Sequence, residues 1–243
     1  QATFAQEENL TEEVVVIGTR TEGRSALDSP APVDVIGGET MSNQGDTDMS
    51  NLLRNVVPSY NVNDQPISDA ATLVRPANLR GLAPDHTLML VNGKRRHRAS
   101  VITWLGNGIS NGSQGPDAAA IPALALKRIE VLRDGASAQY GSDAIAGVMN
   151  FVLNDAREGG SVEVRYGEYK EGDGEQVTVA GNIGLPLGDS GFLNLTAEWG
   201  ESDPTSRSEQ RADAQGLIDD GYQGVPVPAM IWGRPIVKDD MKL

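Results

Sequence analysis

The chain has 243 residues, 39% hydrophobic and only 5% aromatic, with 28 Gly, 13 Pro and a formal charge of −14. That charge disfavours a general nucleic-acid role, because phosphate binding needs a positive field. With no cysteine and two histidines the sequence has no disulfide framework, no thiolate metal site and little basis for a His-rich one.

In chain order, "QATFAQEEN" resembles the end of a secretory signal, with Thr3 and Ala5 as small residues before a cleavage at Gln6. An ordinary frayed terminus is the alternative. Residues 6–13 carry four carboxylates and no base, so they read as solvated. An abrupt β-branched run follows, Val14 to Arg20. It wants strand pairing, either as a short edge strand of the next domain or as a strand offered to another protein.

Residues 29–156 read as a compact mixed α/β unit. "PVDVIGGETM" is a strand and a turn. Asp46 to Val56 predicts a helix capped by Asp46 or Thr47, with Met49, Leu52, Leu53 and Val56 on one face. "LRGLAPDHTLMLVNGKRRH" predicts two strands around Pro84-Asp85, with Asn92-Gly93 as a second tight turn. A polar, Gly-rich loop runs from about Ala99 to Asp117. "RIEVLRDGASAQYGSDAIAGVMNFVL", residues 128–153, opens and closes as a strand around a stretch of small residues.

After Ala156 the pattern becomes strict alternation, over residues 161–169, 175–187 and 192–200. These strands have about the length that crosses a bilayer when tilted, although a soluble sandwich would alternate in the same way. "KEGDG" and "GDSG" read as tight turns and residues 203–235 as a long polar loop. A fourth strand starts at about residue 236. No run of about 20 apolar residues offers a transmembrane helix, and a closed barrel is the other way to span a membrane.

Two motifs invite an enzymatic reading. "GDSG", residues 188–191, matches a serine-nucleophile signature, but the only bases for Ser190 are His86 and His97, far upstream. Between two alternating strands the same four residues make a hairpin. "GNGISNG", residues 106–112, has dinucleotide-loop glycine spacing without a strand-to-helix transition. "KRRHR", residues 94–98, is the one dense basic run, suited to carboxylates on an enclosing surface or to an anionic ligand.

"EEVVVIGTR" at 12–20 resembles a TonB box, and the stretches from "LRGLAPDH" and from "RIEVLRDG" resemble the plug domain of TonB-dependent outer-membrane receptors. The resemblance covers nearly the whole chain. It implies a mixed α/β plug followed by the first antiparallel strands of a 22-stranded transmembrane β-barrel. On that reading residues 1–5 are a signal remnant, 6–28 carry the TonB box, 29–156 are the plug and 157–243 begin the barrel. Three strands and part of a fourth are far fewer than 22, so the sequence is expected to be the N-terminal part of a longer receptor.

The function implied is TonB-dependent import of a scarce or bulky nutrient, of the siderophore, cobalamin or oligosaccharide class. The chain would act at the cell outer membrane, with the N-terminus periplasmic. TonB, energised by its inner-membrane complex, would bind Glu13, Val14, Val15, Val16 and Ile17. Ligand would meet Asp64, Gln65, Arg98, Trp104 and Asn107 on apical plug loops. The resemblance implies no cofactor, no resident metal and no catalytic residue. The small-residue stretch from Gly135 to Gly147 would then serve close packing, with Tyr140 as its one large anchor. A soluble periplasmic ligand-binding module is the alternative from another class, and a hydrolase using Ser190 is a third.

Overall fold

A computed structural model of the chain describes residues 14, 15, 17, 24–25, 32–46, 48–62, 74–75, 77–103, 110–133, 136–203, 205 and 212–222. It divides into two compact units, residues 1–63 with 76–154, and residues 64–75 with 155–243.

The first unit opens with two short strands, β1 (Val14–Val15) and β2 (Arg24–Ser25), paired antiparallel. Strand β3 (Val33–Gly37) leads into a single helical turn, α1 (Gly38–Ser42), where the sequence suggested a turn. The next helix, α2 (Met49–Val56), starts later than the periodicity implied. Its cap is Asp48, whose carboxylate accepts from the backbone N–H groups of Ser50 at 2.8 Å and Asn51 at 3.3 Å. Asp46 stands one step further out and accepts from the Asp48 N–H at 2.9 Å. Three polar residues in a row could each cap a helix; Asp48 does so here, and Met49, Leu52 and Leu53 behind it are buried.

A five-stranded sheet organises the unit. It contains β6 (Thr87–Val91), β7 (Lys94–Arg95), β8 (Leu126–Leu132) and β9 (Gly147–Leu153) in the order β3-β8-β9-β6-β7. All its pairings are antiparallel except β6 with β9, which is parallel. A small pair, β4 (Tyr60–Val62) with β5 (Ala77–Leu79), lies apart from it in the chain. Asn92 and Gly93 both adopt positive φ, 48° and 74°, as the two-residue turn between β6 and β7 requires.

Alternation sorts the sheet's side chains to two faces. On one, Met89, Ile129, Val131, Met149 and Phe151 pack with Met41, Leu52, Leu53 and Leu79. On the other, Val33, Leu88, Leu90, Leu132 and Val148 pack with Ile17, Ala136 and Ala144. Each fully buried Leu, Ile or Met in these clusters contributes about 1.5–3 kcal/mol. The second face also carries polar side chains. Glu130, fully buried, receives Arg128 Nε at 2.8 Å and Asn150 Nδ2 at 3.0 Å. The Asn150 side-chain oxygen, Oδ1, in turn accepts the Gly93 N–H at 2.9 Å.

The second unit is built on β10 (Gly160–Gly167), β11 (Gln176–Leu187) and β12 (Gly191–Ser202), a continuous antiparallel meander. The Gly188–Ser190 turn joins β11 to β12. Beyond β12 a short helix, α4 (Ala212–Asp219), occupies part of the stretch that the sequence suggested was loop throughout. Two of its four apolar residues are alanines and Gly216 interrupts it, so its apolar stripe is faint. The fourth strand expected from about residue 236 lies outside the described residues.

Candidate functional site

Three places carry the residues singled out from sequence. The first is the N-terminal segment. Val14 stands opposite Ser25 and Val15 opposite Arg24, so the backbone of this run is already paired within the chain. Two residues on, Ile17 is 1% exposed and belongs to the second core cluster. The segment is therefore held both by ladder hydrogen bonds and by one apolar side chain in a socket that includes Leu88, Leu90, Leu132 and Val148. Sequence alone does not mark Ile17 as a core residue, because the short apolar run that it closes stands between polar stretches. Glu13 and Val16 lie outside the described residues.

The second place is the loop region of the first unit. Asp64, Gln65, Trp104 and Asn107 lie outside the described residues. Arg98 is exposed and lines a cavity beside β6 together with Arg95, Arg96 and His97. The other walls include Asp85, Thr87, Gln114 and Asp143. No sequence signal beyond the basic run marked this cavity, since its walls come from four separate segments.

The third place is the sheet of the second unit. Register puts Val164, Val179 and Trp199 in one row, and Leu185 beside Leu193 in another. On that face Val162, Val164, Tyr166, Ile183, Leu187 and Leu195 are all exposed, Val162 to 79%. The opposite face is polar. Arg165 pairs with Glu163, and Asn182 Nδ2 donates to Asn194 Oδ1 at 2.6 Å and to Thr196 Oγ1 at 2.7 Å. The connecting segment lies against this polar face: Asn194 Nδ2 reaches the Ala156 carbonyl at 3.5 Å, and a Cβ at Gly184 would collide with that same carbonyl. A sheet that is polar on one side and exposes large apolar side chains on the other matches a strand set with lipid outside and a wet lumen inside.

The small-residue stretch divides into two behaviours. Ala136, Ala144, Ala146 and Gly147 are buried, whereas Ser137, Ala138, Gly141 and Ser142 are exposed. Close packing thus explains only the ends of the stretch; its middle is a short helix, α3 (Ser137–Tyr140), followed by a 3-10 turn. Tyr140 is half-buried against the second core and is no deep anchor. Ser190 sits in a hairpin turn in a unit that contains no histidine, so no base is supplied from its own unit. Among the described residues no group of three or more His, Asp or Glu could hold a metal ion, and no helix is long and apolar enough to cross a membrane.

Comparison with known proteins agrees with this geometry. The family described as TonB-dependent Receptor Plug Domain matches residues 25–148. The iron-regulated outer membrane virulence protein of Vibrio cholerae is 32% identical over 150 residues, 61% of this chain and 21% of that protein. The ferrienterobactin receptor of Escherichia coli K12 is 29% identical over 211 residues, 84% of this chain and 26% of that protein. The crystal structure of the siderophore receptor PirA from Acinetobacter baumannii superposes with a TM-score of 0.54 at 24% identity, covering 76% of this chain and 26% of PirA. The chain spans about a fifth to a quarter of the length of these curated relatives.

Proposed function

The chain belongs to the TonB-dependent receptor plug domain family, and from that premise we propose that it serves TonB-dependent import of a nutrient across the outer membrane. In this reading the first unit is the plug, and the strands of the second begin the barrel wall. Ferric siderophores are the favoured cargo, because the relatives are named for iron and for enterobactin. Cobalamin and oligosaccharides are the other classes that a receptor of this kind would carry.

The observation that carries the proposal is the double attachment of the N-terminal segment. A strand pairing that involves only two residues on each side is weak, and Ile17 adds one buried side chain, about 1.5–3 kcal/mol. Such a segment is a detachable handle. TonB would take it by strand addition, with main-chain hydrogen bonds supplying affinity. A pull on it would act directly on the second core cluster, where Ile17 is seated. Ligand held at the loops, Arg98 among them, would bias the release. A soluble periplasmic module is disfavoured by the exposed apolar face of β10–β12, which water would not tolerate as a patch.

The test is deletion of residues 13–17 in the receptor as the cell makes it. Uptake should be abolished while ligand binding is kept. Uptake that survives the deletion would sink the proposal.

A further inference from the structure

The run from Lys94 to Arg98 is the densest positive charge in a chain of formal charge −14, and the fold uses it unevenly. Arg95 Nη1 is held by Asp143 Oδ2 at 2.7 Å, and its other amine reaches the Tyr140 carbonyl. Arg96 directs Nε to the Asp117 carbonyl at 2.8 Å. His97 and Arg98 are exposed and have no partner among the described residues. Both line the cavity beside β6, whose volume is about 230 Å3.

The two acids in its wall are already engaged. Asp85 Oδ1 accepts the Gln114 N–H at 2.8 Å, and Asp143 is paired with Arg95. Donors of the basic run and acids that are already engaged meet in one hollow.

We infer that this cavity binds an oxyanion group, carboxylate or phosphate, of a small ligand. The Arg98 guanidinium offers parallel N–H donors that fit two oxygens of either group, and His97 supplies a further donor. The volume is below the roughly 300–1,000 Å3 of sites that enclose a whole ligand, so the cavity holds one anionic arm. The inference deepens the import reading by naming the chemistry of the ligand. It rests on that reading only for the statement that the anion is cargo.

Calorimetric titration of the full chain in detergent at low salt tests it, with inorganic phosphate and, separately, succinate as probes. Saturable binding of at least one probe is expected, and the preferred probe tells a tetrahedral from a planar ligand. Arg98→Ala should weaken it about tenfold or more, the loss expected for a hydrogen bond to a charged group. Lys94→Ala removes the same charge outside the cavity and should weaken it less than about twofold. The inference is overturned if neither probe saturates, or if Lys94→Ala and Arg98→Ala weaken binding equally, since a diffuse field would do that. If anion binding persists but deletion of residues 13–17 leaves uptake intact, the import reading fails and the anion site stands.

Discussion

Asn150 donates its side-chain amide to the Glu130 carboxylate at 3.0 Å, and the two stand opposite each other on neighbouring strands of the buried sheet. The second carboxylate oxygen receives Arg128, so one fully buried acid joins two strands and a cation. Removing one partner of a buried ion pair is costly because the other charge stays behind. Glu130→Ala should therefore destabilise the chain by about 3–5 kcal/mol. Urea unfolding followed by near-ultraviolet circular dichroism would measure it, and a loss under about 1 kcal/mol would mean that water replaces the carboxylate.

Gly147 begins β9 at φ 147°, and a Cβ there would lie 2.6 Å from the Leu132 carbonyl and 2.8 Å from Leu79 Cδ2. Neither neighbour is free to give, since one is backbone and the other is core. Gly147→Ala should cost about 1–3 kcal/mol. Gly37→Ala, with nothing within 4 Å, is the matched control and should be nearly neutral in the same unfolding experiment.

Val14 and Ser25 are register partners, and these 243 residues contain no cysteine. A Val14→Cys, Ser25→Cys variant therefore offers one disulfide at a spacing that facing antiparallel residues satisfy. Oxidised, it should fail to bind TonB in a pull-down, and reductant should restore binding. Equal capture in both states would show that β1 need not leave β2.

Val179 sits between Val164 and Trp199 on the apolar face. Val179→Arg should lower the yield of membrane-assembled receptor, by about 2–4 kcal/mol of assembly free energy if the position is near mid-bilayer. Thr178→Arg, on the polar face, should assemble normally. Heat-modifiable mobility on gels reads both, and tolerance of Val179→Arg would remove lipid from that face.

Tyr60 is 4% exposed, and burial pushes its phenol well above the ordinary 10.0. The folded chain thus holds this proton more tightly than the unfolded one. The resulting stability is fully present below about pH 10 and is lost as pH rises through the interval between the unfolded and folded values. Stability measured by urea should fall more steeply above that pH in the natural chain than in Tyr60→Phe. Parallel curves would show that the phenol reaches water when folded.

Much of the architecture was written in periodicity. Ile129 and Val131 alternate with Arg128 and Glu130, and residues 161–169, 175–187 and 192–200 alternate between their turns, so the strands and the two faces of the second sheet could be read directly. Asn92-Gly93 announced its turn by residue type. Other features depend on partners distant in sequence. Nothing local says that Asp48 caps α2 in place of Asp46, that Ile17 is buried, or that Thr87, Gln114 and Arg98 share a cavity. The helix from Ala212 to Asp219 has two alanines among its four apolar residues and a central Gly216, so it does not announce itself. Small residues misled in a different way: Ala144 and Ser142 look alike in composition, yet one is core and the other surface.

The pairing of the five-stranded sheet also sets an order of events in folding. Val33 is matched with Leu132, and Thr87 with Gly147, so the earliest strand must wait for about a hundred later residues. Closing such long loops is entropically slow, and β9, which joins β8 to β6, is the last strand of the unit to be synthesised. The plug therefore cannot consolidate piecemeal from its N-terminus. It stays open until its own final strand has emerged, and then closes as one unit.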